Sequence, residues 1–502
     1  MRNRYGKTFA LVTAAAMLMS SMTLPALAAE ETERAFMEQG MESADLSRNR
    51  GPDGEMKTPP DGEMGAPGGE MSAPAEGMGG GPGGEMGMPP GGGSSVDVNY
   101  KGAVEISSSE TERDQIYESS SEDESALLIS TSDEVTIVNP TVSKTGDSDG
   151  GDSCNFFGLN AAVLVKDGAS VTISGGSITS AADGANGVFS YGGNGGQNGA
   201  EGDGSTVNIS DTVISTTGDG SGGIMTTGGG VTHASNLTVE TSGRSSAAIR
   251  TDRGGGTVVV DGGSYSTNGL GSPAIYSTAD ITVSDAELIS NLSEGVCIEG
   301  MNSITLYDCD LTAENTQCNG NATFLDTIMI YQSMSGDADS GTSSFTMTGG
   351  SLTSKNGHMF HVTNTNAVIT LTDVALRNED EDKVLLSVCA DGWSGSENAA
   401  VLNAFNQELS GTILVGTDSS LSLNLEEGSS FEGSISGEIT NAMGETVSTE
   451  PGEVHVSLSE DSSWTLTQDT AISSFEGDAA DIISNGYTLT VDGTVLLGTT
   501  DA

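Results

Sequence analysis

Apolar and polar residues alternate in short stretches from about residue 160 onward, and these stretches recur at a nearly constant spacing. Comparable stretches begin at Val258, Ile281 and Ile304, and the same interval separates Phe345 from Val368. Alternation predicts β-strands. A repeat of about 23 residues lies within the range of roughly 20–50 residues that is typical of a solenoid, in which stacked coils bury one another's apolar sides. The sequence therefore predicts an all-β chain. We expect a parallel β-helix that is right-handed by the crossover rule for parallel strands.

The alternation also predicts which side chains point away from the helix interior. If Ile224, Ile249, Ile275 and Val296 point inward, the residues next to them point outward, because successive strand residues face opposite sides. The predicted outward positions, called here the outward ladder, are Met225, Arg250, Tyr276 and Cys297 in one column and Thr227, Asp252, Thr278 and Glu299 in a second, with Phe189 and Tyr191 near one end and His361 near the other.

Residues 1–29 have the three parts of a secretory signal peptide. Arg2, Arg4 and Lys7 form a basic start, an apolar stretch follows, and the run Ala26-Leu27-Ala28 matches the small-residue cleavage pattern. No later apolar run reaches the ~18 residues that a membrane-spanning helix needs. We therefore expect an exported protein, secreted or associated with the cell surface, without a transmembrane segment.

Composition divides the rest of the chain. Residues 30–95 are rich in Gly, Pro, Met and Glu and poor in the residues that build a core, which predicts a disordered linker. Residues 96–440 are expected to form the β-helix, and no convincing amphipathic helix is found there. Residues 441–502 are expected to hold the C-terminal coils and a cap, with Trp464 and Tyr487 closing the end of the core.

The charge balance limits the partners of the protein. With the three basic residues of the signal removed from the 17 of the chain, 14 Lys and Arg stand against 71 Asp and Glu, a net charge of −57. Such a surface repels nucleic acid and attracts cations, of which Ca²⁺ suits oxygen ligands. Alternatively, the acidity only keeps a secreted, monomeric rod soluble. We expect a monomer without a nucleic-acid partner.

Several residues are of the types that bind metals or form disulfides. His358 and His361, three apart on a strand, are expected on opposite faces and therefore not to share a metal. Five scattered cysteines disfavour a disulfide framework and are expected to be small buried apolar groups, although a Cys309–Cys318 bridge stays open. The candidate Ca²⁺ ligands, for which solvated turns are the alternative, are Asp147, Asp149, Asp152, Asp337 and Asp339.

The strand and turn sequences resemble those of secreted right-handed parallel β-helix proteins of the pectin-lyase-like class. The resemblance rests on units such as NAAVLVKDGASVTISGG from Asn160 and SAAIRTDRGGGTVVVDGG from Ser246, which begin with small residues and continue into Val- and Thr-rich strands. It covers roughly residues 96–502 and extends to the adhesin-like, polysaccharide-binding β-helix proteins of clostridia. It implies the fold. It also implies three kinds of function, namely lyases with carboxylate-bound Ca²⁺ and a Lys or Arg base, non-cleaving glycan binders, and adhesins.

An arginine cluster stands out in so acidic a chain. Three of the eight arginines that follow the signal, Arg244, Arg250 and Arg253, lie close together in the sequence. Arg grips carboxylates with two parallel hydrogen bonds, and Tyr276 on the next coil offers a ring on which a sugar can stack. The cluster therefore predicts a docking point for an anionic glycan.

Two alternatives concern the same residues. The arginines could pair internally, Arg250 with Asp252 or Glu299. Arg244 would then pair with Glu240. In a polysaccharide lyase, Arg250 would be the base, and Asp252 and Glu299, ~10 Å apart at two coils, would hold Ca²⁺. Few long insertions separate the coils between residues 246 and 310, which favours a flat binding face over a deep cleft.

The sequence thus favours a non-catalytic, adhesin-like protein that binds polysaccharide or a host or cell-surface glycan, with Ca²⁺ as a candidate ion. A polysaccharide lyase and a structural surface-coat protein are the alternatives. The predicted ligand site consists of Phe189, Tyr191, Met225, Arg244, Arg250, Asp252, Arg253, Tyr276 and Glu299.

Overall fold

The chain folds into a right-handed parallel β-helix, which a computed structural model describes over residues 98–393 and 397–498. The predicted signal peptide and linker lie outside these residues. Two large sheets run along the helix, and their strands pair in parallel with the equivalent strands of the neighbouring coils. The predicted fold class is therefore confirmed.

The first sheet has 15 strands stacked in chain order. Most are short, and their outward sides carry the predicted ladder. The strands are Gly102–Ile106, Ser125–Ser130, Val163–Lys166, Val188–Tyr191, Ile224–Thr227, Ile249–Thr251, Ile275–Ser277, Val296–Glu299, Asp326–Tyr331, His358–Thr363, Val384–Val388, Glu408–Val415, Ser430–Ser436, Ser463–Leu466 and Ile482–Ile483.

The second sheet has 21 strands, because half of its coils contribute two strands to it, separated by a bend. In three coils the two strands merge into a single long one, Gly230–Thr241, Gly256–Thr267 and Asp280–Ser290. The other strands are Glu110–Arg113, Ile116–Ser119, Glu134–Val138, Thr141–Lys144, Ser170–Ser174, Ser177–Ser180, Thr206–Ser210, Val213–Thr216, Ser303–Tyr307, Asp310–Ala313, Thr342–Thr348, Ser351–Ser354, Asn366–Thr372, Ala375–Asn378, Asn398–Phe405, Ser419–Glu426, Glu453–Leu458 and Ser474–Glu476.

The bend in the second sheet is made by residues with positive φ. In the three long strands these residues are Asn236, Gly262 and Asp285, with φ of 51°, 69° and 53°. Only Gly, and less readily Asn and Asp, adopt this left-handed conformation at low cost. The Asn236 Nδ2 atom also donates to Asp211 Oδ1 of the preceding coil at 2.7 Å, so the bends of the two coils are linked. The Asn, Asp and Gly positions of the repeat are therefore set by backbone geometry.

Apolar ladders fill the interior. Val258, Ile281, Ile304 and Phe345 are partners in successive coils, and each is at most 1% exposed. Phe345 pairs with Ile369 rather than with Val368, so the spacing predicted for that coil is wrong by one position. The interval from Ile304 to Phe345 is longer than its neighbours, because segments of that coil leave the sheets and return.

The smaller elements lie at the surface and at the C-terminal end. Among the described residues the one α-helix is Asp152–Phe157, which sequence reasoning missed, and the one 3₁₀-helix is Ala479–Asp481. None of the described helices is long and apolar enough to cross a membrane. An antiparallel pair, Ile439–Thr440 with Thr446–Ser448, and a small sheet of three strands, Thr470–Ile472, Leu489–Val491 and Thr494–Leu497, complete the fold.

The predicted closing aromatics have different positions. Trp464 is fully buried in the last coils and stacks on Phe431, with the ring centroids 5.8 Å apart. Its indole N–H donates to the Gly433 carbonyl oxygen at 3.1 Å. Tyr487 is 37% exposed, so Trp464 alone of the two belongs to the core.

Candidate functional site

The strand register confirms the alignment of the outward ladder. Arg250 pairs with Met225 of the preceding coil and with Tyr276 of the following one. The same column holds the predicted end residues Phe189 and His361. In order along the helix it contains Phe189, Met225, Arg250, Tyr276, Cys297, Met329 and His361.

The outward ladder is nevertheless buried, so the expectation of a flat exposed binding face at these residues is wrong. Arg250 is 4% exposed, Tyr276 is 1% exposed, and Asp252 and Glu299 have no exposed surface. Four segments, called here the covering segments, lie over this part of the first sheet. They are the helix Asp152–Phe157 and residues 192–204, 314–325 and 332–341, as contacts of Phe157, Gly196, Asn319 and Ser333 with ladder residues or their neighbours show.

Two arginines of the predicted cluster, Arg250 and Arg253, form internal ion pairs. Arg250 Nη2 lies 2.6 Å from Asp252 Oδ2, and its guanidinium lies 5.7 Å from the centroid of the Tyr276 ring. Arg253 Nε donates to Asp337 Oδ1 at 3.0 Å, and its guanidinium sits over the Phe156 ring at 4.2 Å. The alternative of internal pairing is therefore correct for Arg250, whose guanidinium is held by a buried carboxylate.

Glu299 is the acceptor at the centre of this cluster. Its Oε2 atom accepts from Tyr276 at 2.6 Å and from Tyr331 at 3.1 Å. Its Oε1 atom accepts from Ser335 at 3.2 Å and from Ser333. Burial raises the pKa of Glu299 despite these four donors. Because each carboxyl oxygen accepts from two protein hydroxyls, this side chain is occupied by internal contacts.

Asp252 completes the cluster. Burial, together with the nearby Asp337 carboxylate, raises the pKa of Asp252 to about 7, although Arg250 and the Arg253 amide oppose the shift. Two arginines thus face three buried carboxyls, those of Asp252, Glu299 and Asp337, which favours a protonated carboxyl. These contacts make the cluster a support for the covering segments.

Arg244 lies at the edge of the covered region. Its Nη2 atom donates to Asn319 Oδ1 at 2.7 Å, and its backbone N–H donates to Asp219 Oδ1 at 2.7 Å. The side chain therefore helps to hold the covering segment 314–325. Sequence reasoning could not find Asn319, because 75 residues separate it from Arg244.

A second buried polar group lies farther along the same sheet and was missed by sequence reasoning. Ser387 Oγ lies 2.7 Å from His361 Nδ1 and 2.7 Å from His358 Nδ1, so the two histidines share one hydroxyl and the expectation of opposite faces is wrong. His361 Nε2 lies 3.4 Å from Asp391 Oδ2. The Asp391 carboxylate also accepts from the Thr323 and Gly392 amides.

This Ser–His–Asp arrangement has the residue types of a nucleophile with its base but not their accessibility. Ser387 and His361 are both 0% exposed, and the Asp391 side chain is 0% exposed as well. A nucleophile needs room beside its oxygen for the substrate and for donors to the developing oxyanion. The arrangement is therefore a buried hydrogen-bond network that holds residue 391 against the first sheet.

The open outer surface of the second sheet is of a different kind. On its strands before the bend, outward side chains form a column that consists mainly of hydroxyls and amides, and all of its members are half-buried or exposed. We call this column and its two neighbours the threonine face. The central column contains Thr136, Thr172, Asn208, His233, Val259, Thr282, Thr305, Thr346, Thr370, Asn403, Asn424 and Ser457.

The threonine face has few charges for so acidic a protein. One neighbouring column begins at Glu134 in the first coil and ends at His455 in the last, and the other begins at Val138 and ends at Glu426. The three columns of the face together hold 35 outward side chains. Of these, 22 are Ser, Thr or Asn and four are Asp or Glu, and neither Lys nor Arg occurs among them. Tyr307, 44% exposed, contributes an aromatic ring. The face is thus a regular array of neutral hydrogen-bonding groups.

A depression of about 270 Å³ interrupts this face around His233. It is lined by residues of four consecutive coils, among them Thr172, Asn208, Ser235 and Asp261. The coils repeat every ~4.8 Å, so the depression spans about 14 Å along the helix. Its donors and acceptors can be reached by an extended ligand that lies on the face.

Comparison with known proteins finds no match to this chain. No protein-family model matches this chain, and neither a curated protein nor a solved structure matches it.

The predicted metal ligands are dispersed. Within residues 98–393 and 397–498 no three His, Cys, Asp or Glu side chains are grouped so that they could hold a metal ion. Asp147 Oδ1 accepts the Asp183 amide at 3.0 Å, and Asp339 Oδ1 lies 3.4 Å from Asn198 Nδ2. Asp149 and Asp152 are exposed, and Asp337 pairs with Arg253. All five cysteines are unpaired thiols, and four of them are buried.

Proposed function

We propose that this protein is an exported, adhesin-like and non-catalytic β-helix that binds an uncharged polysaccharide along its threonine face. The observation that carries the proposal is the array of neutral hydroxyls and amides that extends over twelve coils and is interrupted in the central column at His233 and Val259. Sugar hydroxyls pair with such groups, and a polymer lying along the helix meets a new row at each ~4.8 Å step. Many weak contacts then add up on one chain.

The charge distribution favours a neutral polymer over an anionic one. The residues expected to grip a uronate, Arg250 and Arg253, are engaged by Asp252 and Asp337. The remaining surface belongs to a chain with 71 acidic residues, which repels polyanions. The proposal thus keeps the binding function expected from the sequence but moves it to another face and changes the ligand class.

The lyase alternative loses the residues on which it rested. Arg250 would have to reach a sugar C5 proton, and Asp252 and Glu299 would have to bind Ca²⁺ beside it. All three side chains are buried beneath the covering segments and hydrogen-bonded to other protein groups. A base must come within ~3 Å of the proton that it removes. We therefore retain binding without cleavage.

The test is sedimentation and affinity electrophoresis of the full-length secreted chain with neutral polymers, namely glucan, mannan, xylan and chitin, beside polygalacturonate. The decisive variant is Thr305→Val/Thr346→Val/Thr370→Val, which removes three hydroxyls from adjacent coils while it keeps β-branched shape. We expect saturable binding to at least one neutral polymer and a loss of about tenfold or more in the triple variant.

The matched control is Thr312→Val/Thr353→Val on the strands after the bend, where the same substitution lies on a different side of the helix. Binding should be unchanged in this control. Preferential binding to polygalacturonate, or equal loss in both variants, would contradict the proposed face. Binding to none of the polymers would favour a structural coat protein, and release of unsaturated sugars would favour a lyase.

A further inference from the structure

We infer that a second sugar-binding site, a pocket for a single neutral hexose unit, lies at one edge of the threonine face. A cavity of about 370 Å³ opens at the corner where the first sheet leads into the second. Its lining includes Gln332, Ser340, Asn364, Thr365, Asn366 and Glu397. This inference rests on the proposed function for its choice of ligand, although the pocket is defined independently of it.

The corner brings together residues from three coils. Gln332 follows the strand Asp326–Tyr331, and Thr365 lies in the turn between His358–Thr363 and Asn366–Thr372. Asn364 Nδ2 donates to the Gln332 carbonyl oxygen at 2.7 Å, and the Asn364 backbone N–H donates to Asn398 Oδ1 at 2.7 Å. These contacts fix the wall of the cavity, so the site is formed before a ligand arrives.

One buried atom of the lining residue Gln332 has an unused hydrogen-bonding capacity. Gln332 is 6% exposed, and its Nε2 atom donates to the carbonyl oxygens of Ser333 and Ala338. Its Oε1 atom accepts no hydrogen bond from the described residues. A buried acceptor of this kind is normally met by water or by a ligand donor. The O–H of a sugar supplies such a donor.

The rest of the lining suits the same ligand. Ser340, Asn366 and the Glu397 carboxylate are exposed at the opening, where they offer hydroxyl, amide and carboxylate groups. The volume lies at the lower end of the range for small-molecule sites, roughly 300–1,000 Å³. A pyranose, which is small, neutral and bears several hydroxyls, fits this combination better than an apolar ligand or an anion, which Glu397 would repel.

The pocket adjoins the proposed polymer-binding face. Asn366 precedes Val368 of the neighbouring column by two positions and Thr370 of the central column by four. At ~3.3 Å per strand residue, the pocket edge lies about 13 Å from the central column. A side branch or chain end of a polysaccharide on the threonine face can therefore enter the pocket.

The experiment titrates the full-length chain with methyl glucoside, mannoside and galactoside and with methyl N-acetylglucosaminide, followed by saturation-transfer NMR. We expect one of these glycosides to bind. Asn366→Ala/Glu397→Gln should bind it about tenfold more weakly, because one exposed amide is lost and a charged acceptor becomes a neutral amide, without a change in the core. Ser340→Trp, which fills the opening from its exposed rim, should abolish binding. Asn291→Ala, an exposed Asn outside both sites, should bind normally.

The outcomes separate the two proposals. Polymer binding that depends on Thr305, Thr346 and Thr370, without binding of any methyl glycoside, overturns the pocket and leaves the proposed function standing. Glycoside binding that survives Ser340→Trp also overturns the pocket. Glycoside binding that Ser340→Trp abolishes, without binding of any polymer, supports the pocket and contradicts the polymer-binding face.

Discussion

The two outer surfaces of this β-helix are built on the same strand repeat but have opposite character. Over the first sheet, charged and aromatic side chains such as Arg250 and Tyr276 are buried beneath the covering segments. Over the second sheet, Thr305 and its neighbours stay open and largely uncharged. The charged and aromatic residues that stand out in the sequence therefore stabilise the fold, while the common Ser, Thr and Asn residues face the solvent.

Electrostatics accounts for this difference. Charged groups that are buried need partners, and the first sheet supplies them from distant segments, as in the pair of Arg253 and Asp337, 84 residues apart. Neutral hydroxyls need no such cover, because water satisfies them when no ligand is present. A charged residue in a sequence is therefore weak support for a binding or catalytic site until the groups that its side chain contacts are known.

The largest expected effect is the loss of Arg250. Arg250→Ala leaves the buried Asp252 without its closest cation, which should lower the free energy of unfolding by about 3–5 kcal/mol. The measurement is urea denaturation followed by circular dichroism. Arg113→Ala, at an exposed strand position, is the matched control and should change stability by less than ~0.5 kcal/mol. Equal effects in the two variants would show that Arg250 is not held as described.

The next effect is a pH dependence that belongs to Asp252. Its pKa is raised from 3.8 to about 7 in the folded state, so the native chain holds a proton that the unfolded chain releases between these values. This contribution to stability is present at low pH and is lost as the pH rises through about 7.

A comparison of the wild type with Asp252→Asn isolates that contribution. His358, whose pKa burial lowers to about 3, acts in the opposite direction below its usual 6.5, but both proteins contain it. We expect the wild type to gain about 2 kcal/mol relative to the variant between pH 8 and pH 5. A difference in unfolding free energy that stays constant with pH would contradict the raised pKa.

A smaller effect is expected for Glu299→Gln. The amide keeps the size of the side chain but replaces one acceptor oxygen by a donor that faces Ser333 and Ser335, or Tyr276 and Tyr331. The hydroxyls can rotate to accept, so the loss of unfolding free energy should be about 1 kcal/mol. Thermal unfolding measures it, and a loss above ~3 kcal/mol would indicate that the carboxyl is ionised and carries a larger share of the stability.

The smallest effect on stability belongs to the threonine face. Thr305→Val should change the free energy of unfolding by less than ~0.5 kcal/mol, because its hydroxyl lies on the open face and Val keeps the β-branched shape. Denaturation of Thr305→Val and of Arg250→Ala, measured side by side, gives the sharpest contrast in unfolding free energy between the two surfaces. A loss similar to that of Arg250→Ala would remove the distinction between a covered and an open face.

The fold and the register of the ladder could be predicted from the sequence because both depend on local alternation. Val258, Ile281 and Ile304 have their expected partners, and so do Met225, Arg250 and Tyr276. The cover could not be predicted, because contacts such as that of Asn319 with Arg244 join positions whose separation follows no repeat. The threonine face was visible as recurring Val-Thr-Ile strands, yet Thr is also a common β-former, so the pattern alone did not indicate a surface.

The covering segments also affect how force passes along the rod. In a bare solenoid each coil touches only its neighbours, so coils can detach one at a time when the ends are pulled apart. Here Thr227 bonds to Phe156, and Arg253 to Asp337, which ties coils that are not adjacent. We expect single-molecule stretching to show small successive steps from the C-terminal coils and one larger, concerted rupture of the region between Phe156 and Asp337. Under shear flow, a protein with such a mechanically stabilised central region would resist unfolding better than a bare solenoid.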